Sequence, residues 1–332
     1  MEKLPVIAAV IGDPAGVGPE VCVQAAASPE LASVCRALLI GEAAAVERAA
    51  RLYHIERPVR RVRDPAELGR VDAGPSAPIV VLDRGDIKPG DYTVGQPSAA
   101  AGRAVVDWIH FGERLGAEGR IDGLVLGPVD SSSLKLGGVV HDIDELQPPE
   151  TFMFRISGKL RAVPITEHIR VRDIPSTVTK ERVLRVIRLV DEKLRQWGLP
   201  KPRIAVAALN PHAMFEEDRE QVAPAIEAAK QLGIDASGPV SPDSVFRMAL
   251  EGRNDAVVTM YHDQGQIAVK TTAFAGACTI YMGLPYVMLN VPHGTAFDIA
   301  GKGKAQHLSI LSAIKTAAAL ASGQGFLAET MQ

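Results

Sequence analysis

Short apolar runs recur along this chain, and each is closed by glycine, aspartate or histidine before a helical stretch begins. Residues 6–11 run into Gly12-Asp13, residues 37–41 end at Gly41, residues 79–83 end at Asp83, and residues 122–129 pass through Gly127-Pro128. Further on, 160–166 lead to Glu167-His168, 203–209 to Asn210-Pro211-His212, and 254–259 to Met260-Tyr261-His262-Asp263-Gln264-Gly265. Apolar runs this short, without polar alternation, read as strands covered on both faces. Helical stretches lie between them at 21–27, 43–52, from Ser98 as a cap through Trp108, and 180–197. That alternation predicts an α/β fold with mostly parallel sheets. Residues 130–160 break the rhythm and read as a substrate loop or a crossover between domains. The basic stretch 57–70 reads as a solvated face.

Bulk properties narrow the function. A chain of 332 residues suggests roughly two domains. A net charge of −3 gives no reason to expect nucleic acid or an anionic membrane as partner. Cys22, Cys35 and Cys278 form no Cys-x-x-Cys pair, which argues against a disulfide framework or a thiolate zinc site. The N-terminal apolar run is too short to span a bilayer and lacks the basic region of a leader, so a cytoplasmic protein is expected.

The chemistry concentrates at strand ends. His168, His212 and His262 each close a predicted strand, and strand ends of a parallel sheet share one edge. Three neutral imidazoles around one ion with positions left open describe a catalytic metal site. The competing reading makes them three unrelated histidines, with His262 a loop residue and Asp263 a turn former. Imidazoles suit zinc first, with manganese, cobalt, nickel or magnesium also able to bind. Gly12-Asp13-Pro14-Ala15-Gly16-Val17-Gly18 could cradle an anion ahead of a helix, or simply be a tight turn; it is neither a dinucleotide fingerprint nor a P-loop. Asp13, a carboxylate at a strand end, could face a ligand. His141 with Asp142 and Asp144 resembles a metal-ligand set by composition only.

Four stretches together resemble the 4-hydroxythreonine-4-phosphate dehydrogenase family: residues 12–20, Leu209-Asn210-Pro211-His212-Ala213, Tyr261-His262-Asp263-Gln264-Gly265, and the segment from His293-Gly294-Thr295 to Ala305. The resemblance implies an isocitrate- or isopropylmalate-dehydrogenase-like fold with two α/β/α domains. These would be residues 1–130 plus 290–332, and residues 131–289 carrying the metal histidines and the dimer interface. It implies an active site in the interdomain cleft and a homodimer in which one metal-ligand histidine comes from the partner subunit. It further implies NAD or NADP as cofactor, one divalent ion on His168, His212 and His262, and oxidation of a secondary alcohol followed by loss of carbon dioxide. Gly12, Asp13, His293, Gly294, Thr295, Ala300, Gly301 and Lys302 match cofactor-side positions. Lys270 matches a substrate-site lysine. Asp243 and Asp263 are expected to handle protons or to orient the histidines, although Asp243 could instead cap a helix beginning at Ser244.

The sequence departs from that pattern where the family binds substrate. Asp130-Ser131 stands where the family has Asn-Lys or His-Lys, and Gln147-Pro148-Pro149-Glu150 where it has Gly-His-Thr-Glu. Thr279 replaces an asparagine, Met288 an arginine, and Met214-Phe215 a Gly-Glu pair. Each charge-assisted hydrogen bond lost is worth about 1.5–3 kcal/mol, so phosphate binding should fall by orders of magnitude. The expected substrate is therefore a non-phosphorylated hydroxy acid or a cis-dihydrodiol carboxylate, met by Glu150, Arg155, Thr279 and Met288, with Met288, Phe152 and Pro149 making an apolar wall. The runner-up, a phosphorylated threonine or four-carbon sugar acid, needs Arg155, Arg161 or Arg172 to replace the lost contacts. An NAD-independent metal-dependent lyase or hydrolase stays open, as does a scaffold without activity.

Overall fold

A computed structural model describes residues 4–70, 74, 76–140, 143–272, 278–291 and 293–326. The chain divides into two compact units, Met1–Pro149 with Leu284–Ser322, and Glu150–Gly283 with Gly323–Gln332. Among the described residues no helix is long and apolar enough to cross a membrane.

The first unit begins with β1 (Val6–Val10), α1 (Gly18–Ala27), β2 (Arg36–Ile40), α2 (Ala43–Leu52), β3 (Val59–Val62) and β4 (Ile79–Leu82). It continues with α3 (Ala99–Ala117), β5 (Gly123–Leu126) and α4 (Ser131–Gly137). The second unit holds β6 (Phe152–Ser157), β7 (Leu160–Pro164), α5 (Ile174–Thr177), α6 (Lys180–Gln196), β8 (Ile204–Ala207) and α7 (Ala223–Gln231). It ends with β9 (Ala236–Val240), α8 (Pro242–Leu250), β10 (Ala256–Thr259), α9 (His262–Thr272) and β11 (Cys278–Met282). The chain then returns to the first unit with β12 (Val287–Asn290) and α10 (Leu308–Ala321).

The first unit's strands run in the order β3-β4-β2-β1-β5-β12, and every neighbouring pair is parallel. The chain steps from β1 to β2 on one side, and β5 later joins β1 on the other. The turn after β1 therefore sits at a switch in strand order, where open α/β sheets place ligands. The second unit's order is β11-β6-β7-β10-β8-β9. Here β11–β6 and β6–β7 are antiparallel, whereas β7–β10, β10–β8 and β8–β9 are parallel. Leu160, Ala162, Ala205, Val245, Val257 and Val269 pack as one buried cluster under α8 and α9.

Several expectations change. Residues 130–160 hold the crossover between the units, which falls after Pro149, but they are not a plain loop: Asp130 caps α4, its Oδ1 accepting from Ser133 N at 2.9 Å, and Phe152 onward forms a buried strand. The basic stretch contains the edge strand β3, where Arg61 Nε meets Asp83 at 3.0 Å. Asp263 is not a turn former but lies in the first turn of α9, and Gly265 follows inside the helix, where a Cβ would stand 2.8 Å from Thr259 Oγ1. Ser98 does cap α3, accepting from Ala101 N at 3.1 Å, and that helix runs on past Trp108 to Ala117.

Candidate active site

The strands that carry the three histidines are immediate neighbours, in the order β7-β10-β8, and all three are parallel. Their C-terminal ends therefore share one edge, which parallel pairing at roughly 4.8 Å spacing makes compact. Side chains tie this edge together. Gln264 donates its Nε2 to Ala208 O at 2.9 Å and accepts from Met260 N at 2.8 Å, fastening β10 to β8. Thr166 Oγ1 donates to Met260 O at 3.1 Å, fastening β7 to β10.

His168 and His262 come together on that edge, with ring centroids 4.5 Å apart and planes tilted by 49°. Asp263 Oδ1 lies 2.7 Å from His262 Nδ1. A carboxylate at Nδ1 holds the proton there and leaves Nε2 with a lone pair, the usual arrangement for a metal-binding imidazole. His212 is held differently. It sits in the left-handed region, φ 58, at the apex of a short turn. The buried Asp218 carboxylate accepts from Leu209 N at 2.6 Å and Asn210 N at 3.2 Å, which anchors that turn. Among the described residues no three His, Cys, Asp or Glu side chains assemble within one chain into a group able to hold a metal. The donors fit an imidazole-bound ion by chemistry, with two rings converged and the third needing a further contribution.

Asp243 lies in the first turn of α8 rather than capping it, since the helix starts at Pro242. The hydroxyls of Ser241 and Ser244, at 2.7 and 2.8 Å, hold its carboxyl below the usual range. Asp243, Ser241, Pro211, Leu209, Tyr261 and Gln264 border a cavity of about 280 Å³ at the ends of β8, β9 and β10. Lys270 is exposed in the last turn of α9.

The expected substrate residues are placed as follows. Glu150 is exposed at φ 62 and pairs with Arg185. Arg155 is 4% exposed and pairs with Glu167, Nη1 at 3.1 Å and Nη2 at 2.7 Å from the two carboxylate oxygens. Thr279 on β11 lies directly opposite Arg155. Met288 is fully buried on β12, paired with Leu124 of β5, so it is a core residue and not an open wall. Phe152 is likewise buried, with the guanidinium groups of Arg182 and Arg185 over its ring.

In the first unit, the glycine turn after β1 is demanded by packing. A Cβ on Gly12 would fall 2.2 Å from Pro128 O, and one on Gly18 would fall 2.0 Å from Ile11 O. Gly16 packs on buried Thr295, whose carbonyl accepts from Val17 N at 2.9 Å. Asp13 is fully buried; Oδ1 accepts from Ala15 N at 2.9 Å, and Oδ2 has no partner. An orphaned buried carboxylate oxygen is compatible with a ligand donor.

The segment after His293 is held by two residues that sequence reading passed over. Buried Glu20 accepts from Gly301 N at 2.7 Å and from Tyr53 Oη at 2.8 Å, and Tyr53 Oη accepts from Ala305 N at 2.9 Å. Burial and the Glu20 carboxylate push the Tyr53 phenol up to about 12, so it stays a donor. Ala300 is buried, Gly294 exposed, and Lys302 bonds its own turn at Asp298 O, 2.7 Å. His293 Nδ1 lies 3.2 Å from Gly294 O. His141 and Asp142 lie outside the described residues, and of Asp144 only the backbone is described.

Comparison with known proteins places this geometry. The model of the pyridoxal phosphate biosynthetic protein PdxA family matches residues 33–317. A 4-hydroxythreonine-4-phosphate dehydrogenase of Desulforapulum autotrophicum is 38% identical over 98% of this chain and 98% of its own. The crystal structure of a 4-hydroxythreonine-4-phosphate dehydrogenase from Burkholderia phymatum has a TM-score of 0.80 at 36% identity, covering 96% of this chain and 99% of its own. That of a terephthalate 1,2-cis-dihydrodiol dehydrogenase from Burkholderia xenovorans has a TM-score of 0.73 at 26% identity, covering 98% and 100%. The chain belongs to the PdxA family and is a dehydrogenase.

Proposed function

We propose that this protein is a metal-dependent NAD(P) dehydrogenase that oxidises a non-phosphorylated hydroxy acid or cis-dihydrodiol carboxylate, with decarboxylation of the resulting β-keto acid. The observation that carries the substrate half is the state of its arginines. The buried Met288 offers no cation where the family pattern has arginine, and Thr279 replaces an asparagine amide by a hydroxyl. Two of the three substitutes are already engaged. Arg155 is bound to Glu167, and Arg161 donates to Asp255 O at 3.2 Å and lies over the Phe326 ring. Arg172, the remaining one, is 72% exposed at its side chain beside Asp173. The terephthalate-diol relative supports a cyclic diol acid as substrate class.

The metal half rests on His168 and His262 converging beside Asp263. A divalent ion, zinc first, would supply Lewis-acid stabilisation of charge developing on the substrate oxygen, and the nicotinamide would supply the hydride acceptor. Asp243, kept ionised by its two serine hydroxyls, is a hydrogen-bond acceptor at the mouth of the neighbouring cavity and orients a donor there. Ala300, Gly301 and the Gly12–Gly18 turn form the proposed nicotinamide side, with Glu20 and Tyr53 fixing its backbone.

A homodimer is part of this reading. Exposed apolar side chains lie on the very segments that carry the histidines: Ile169 and Val171 after His168, Met214 and Phe215 after His212, and Ile267 on α9. This reading takes these side chains as the face on which a second copy is seated. A second copy seated there would also bring the missing imidazole.

The test is nicotinamide reduction with a hydroxy-acid and diol-acid panel, with and without added divalent metal. Metal-dependent turnover that His262→Ala lowers by at least about 100-fold is expected for loss of a metal ligand. Turnover indifferent to chelation and to that substitution would sink the metal assignment.

A further inference from the structure

We propose that Arg155 and Glu167 are positioning residues that fix the turn carrying His168; this rests on the reading of His168 as a metal ligand. Arg155 stands on β6, flanked on one side by Thr279 of β11 and on the other by Ala162 of β7. A strand paired on both edges and buried along its whole length is a place for apolar side chains. A charged pair in such a site rarely stabilises a fold more than apolar residues of the same volume would, so its value lies in geometry.

The geometry concerns one residue in particular. Glu167 O accepts from Ile169 N at 2.8 Å, which makes His168 the apex of a three-residue turn. The chain entering this turn is fastened to β10: Ile165 N donates to Thr259 O at 2.8 Å, and Thr166 Oγ1 donates to Met260 O at 3.1 Å. Glu167 is fastened in the other direction, to β6, by both Nη atoms of Arg155. The guanidinium is itself seated, its Nη2 lying 3.2 Å from Met153 Sδ. Two parallel hydrogen bonds remove the rotation that a single contact would leave. Anchors on opposite sides therefore leave His168 one orientation, with its ring 4.5 Å from that of His262. Without the Arg155 anchor, the exposed turn would sample several orientations, and an ion needing both imidazoles would bind only a fraction of them.

Cobalt(II) binding to the full-length apoprotein tests this, read by calorimetry and by the visible absorption of the bound ion. The variants are Glu167→Gln, the paired Arg155→Met with Glu167→Leu, and His168→Ala, each with its melting midpoint. The paired variant fills the buried site with apolar groups and should melt no lower than the parent. It should nonetheless bind cobalt on the order of 10- to 100-fold more weakly and with an altered absorption band, as Glu167→Gln should. A folded paired variant that binds cobalt as tightly as the parent, while His168→Ala binds weakly, overturns the positioning role alone. Unchanged affinity in His168→Ala overturns the metal reading and this inference together.

Discussion

Asp13 shows how far a single residue can be read ahead of the fold. Its place at a strand end is plain from the apolar run before it, but its burial is not, because the groups that cover it come from a turn more than a hundred residues away. Burial raises its carboxyl above the usual 3.8, and Asp130 adds to the rise, while Ser133 and Ala15 N–H oppose it. The folded state therefore holds a proton at Asp13 more tightly than the unfolded chain does. Its contribution to stability is present below the unfolded value and lost as the pH rises through the folded one. Asp13→Asn, neutral throughout, escapes that loss. Its melting midpoint should exceed the parent's at neutral pH, with the gap closing as the pH falls toward 3.8. A variant that melts lower than the parent at neutral pH would show that the hydrogen bonds to the ionised carboxylate outweigh its burial. Arg155 teaches the reverse lesson: sequence offered it to a substrate carboxylate, whereas the carboxylate it meets is Glu167, twelve residues along, just past the adjacent strand.

At the scale of elements, the strands that sequence made visible are the central parallel ones, because both their faces are covered and their residues run apolar without interruption. Those it hid are β3, β6, β9, β11 and β12. The first is an edge strand bearing Arg60 and Arg61, the second interrupts its apolar run with Arg155, and the third contains Gly238-Pro239, which sheet edges tolerate. Three strand-end histidines were likewise legible, but not that β10 would insert between β7 and β8, since strand order is set by tertiary packing. Nor did any local signal reveal Asp218, which lies on the next helical segment and reaches back to the His212 turn. Asp218→Ala leaves the Leu209 and Asn210 N–H groups without their acceptor, which should cost about 2–4 kcal/mol in chemical denaturation. It should also weaken metal binding, because the turn holds His212 at a φ that a free chain avoids. A loss under about 0.5 kcal/mol, within the range of ordinary surface changes, would mean that water replaces the carboxylate.

For the whole molecule, the family assignment follows from likeness along nearly its full length, and the open matters are assembly and substrate. Phe215, 53% exposed beside the His212 turn, is the sharpest probe of assembly. Phe215→Asp should shift the protein from dimer to monomer in analytical ultracentrifugation, and cobalt affinity should fall with it. A dimer that survives the charge would place the interface elsewhere. Loss of phosphate recognition in this member of the family is measured by one comparison: kcat/KM for a single hydroxy acid or diol acid with and without its phosphate. With Met288 buried, Thr279 neutral and Arg155 and Arg161 engaged, the phosphate gains nothing: the free acid should be turned over at least as well as its phosphate, where two charge-assisted hydrogen bonds would have favoured the phosphate by about 100-fold or more. A preference for the phosphorylated form would mean that phosphate recognition is retained and rests on residues other than these.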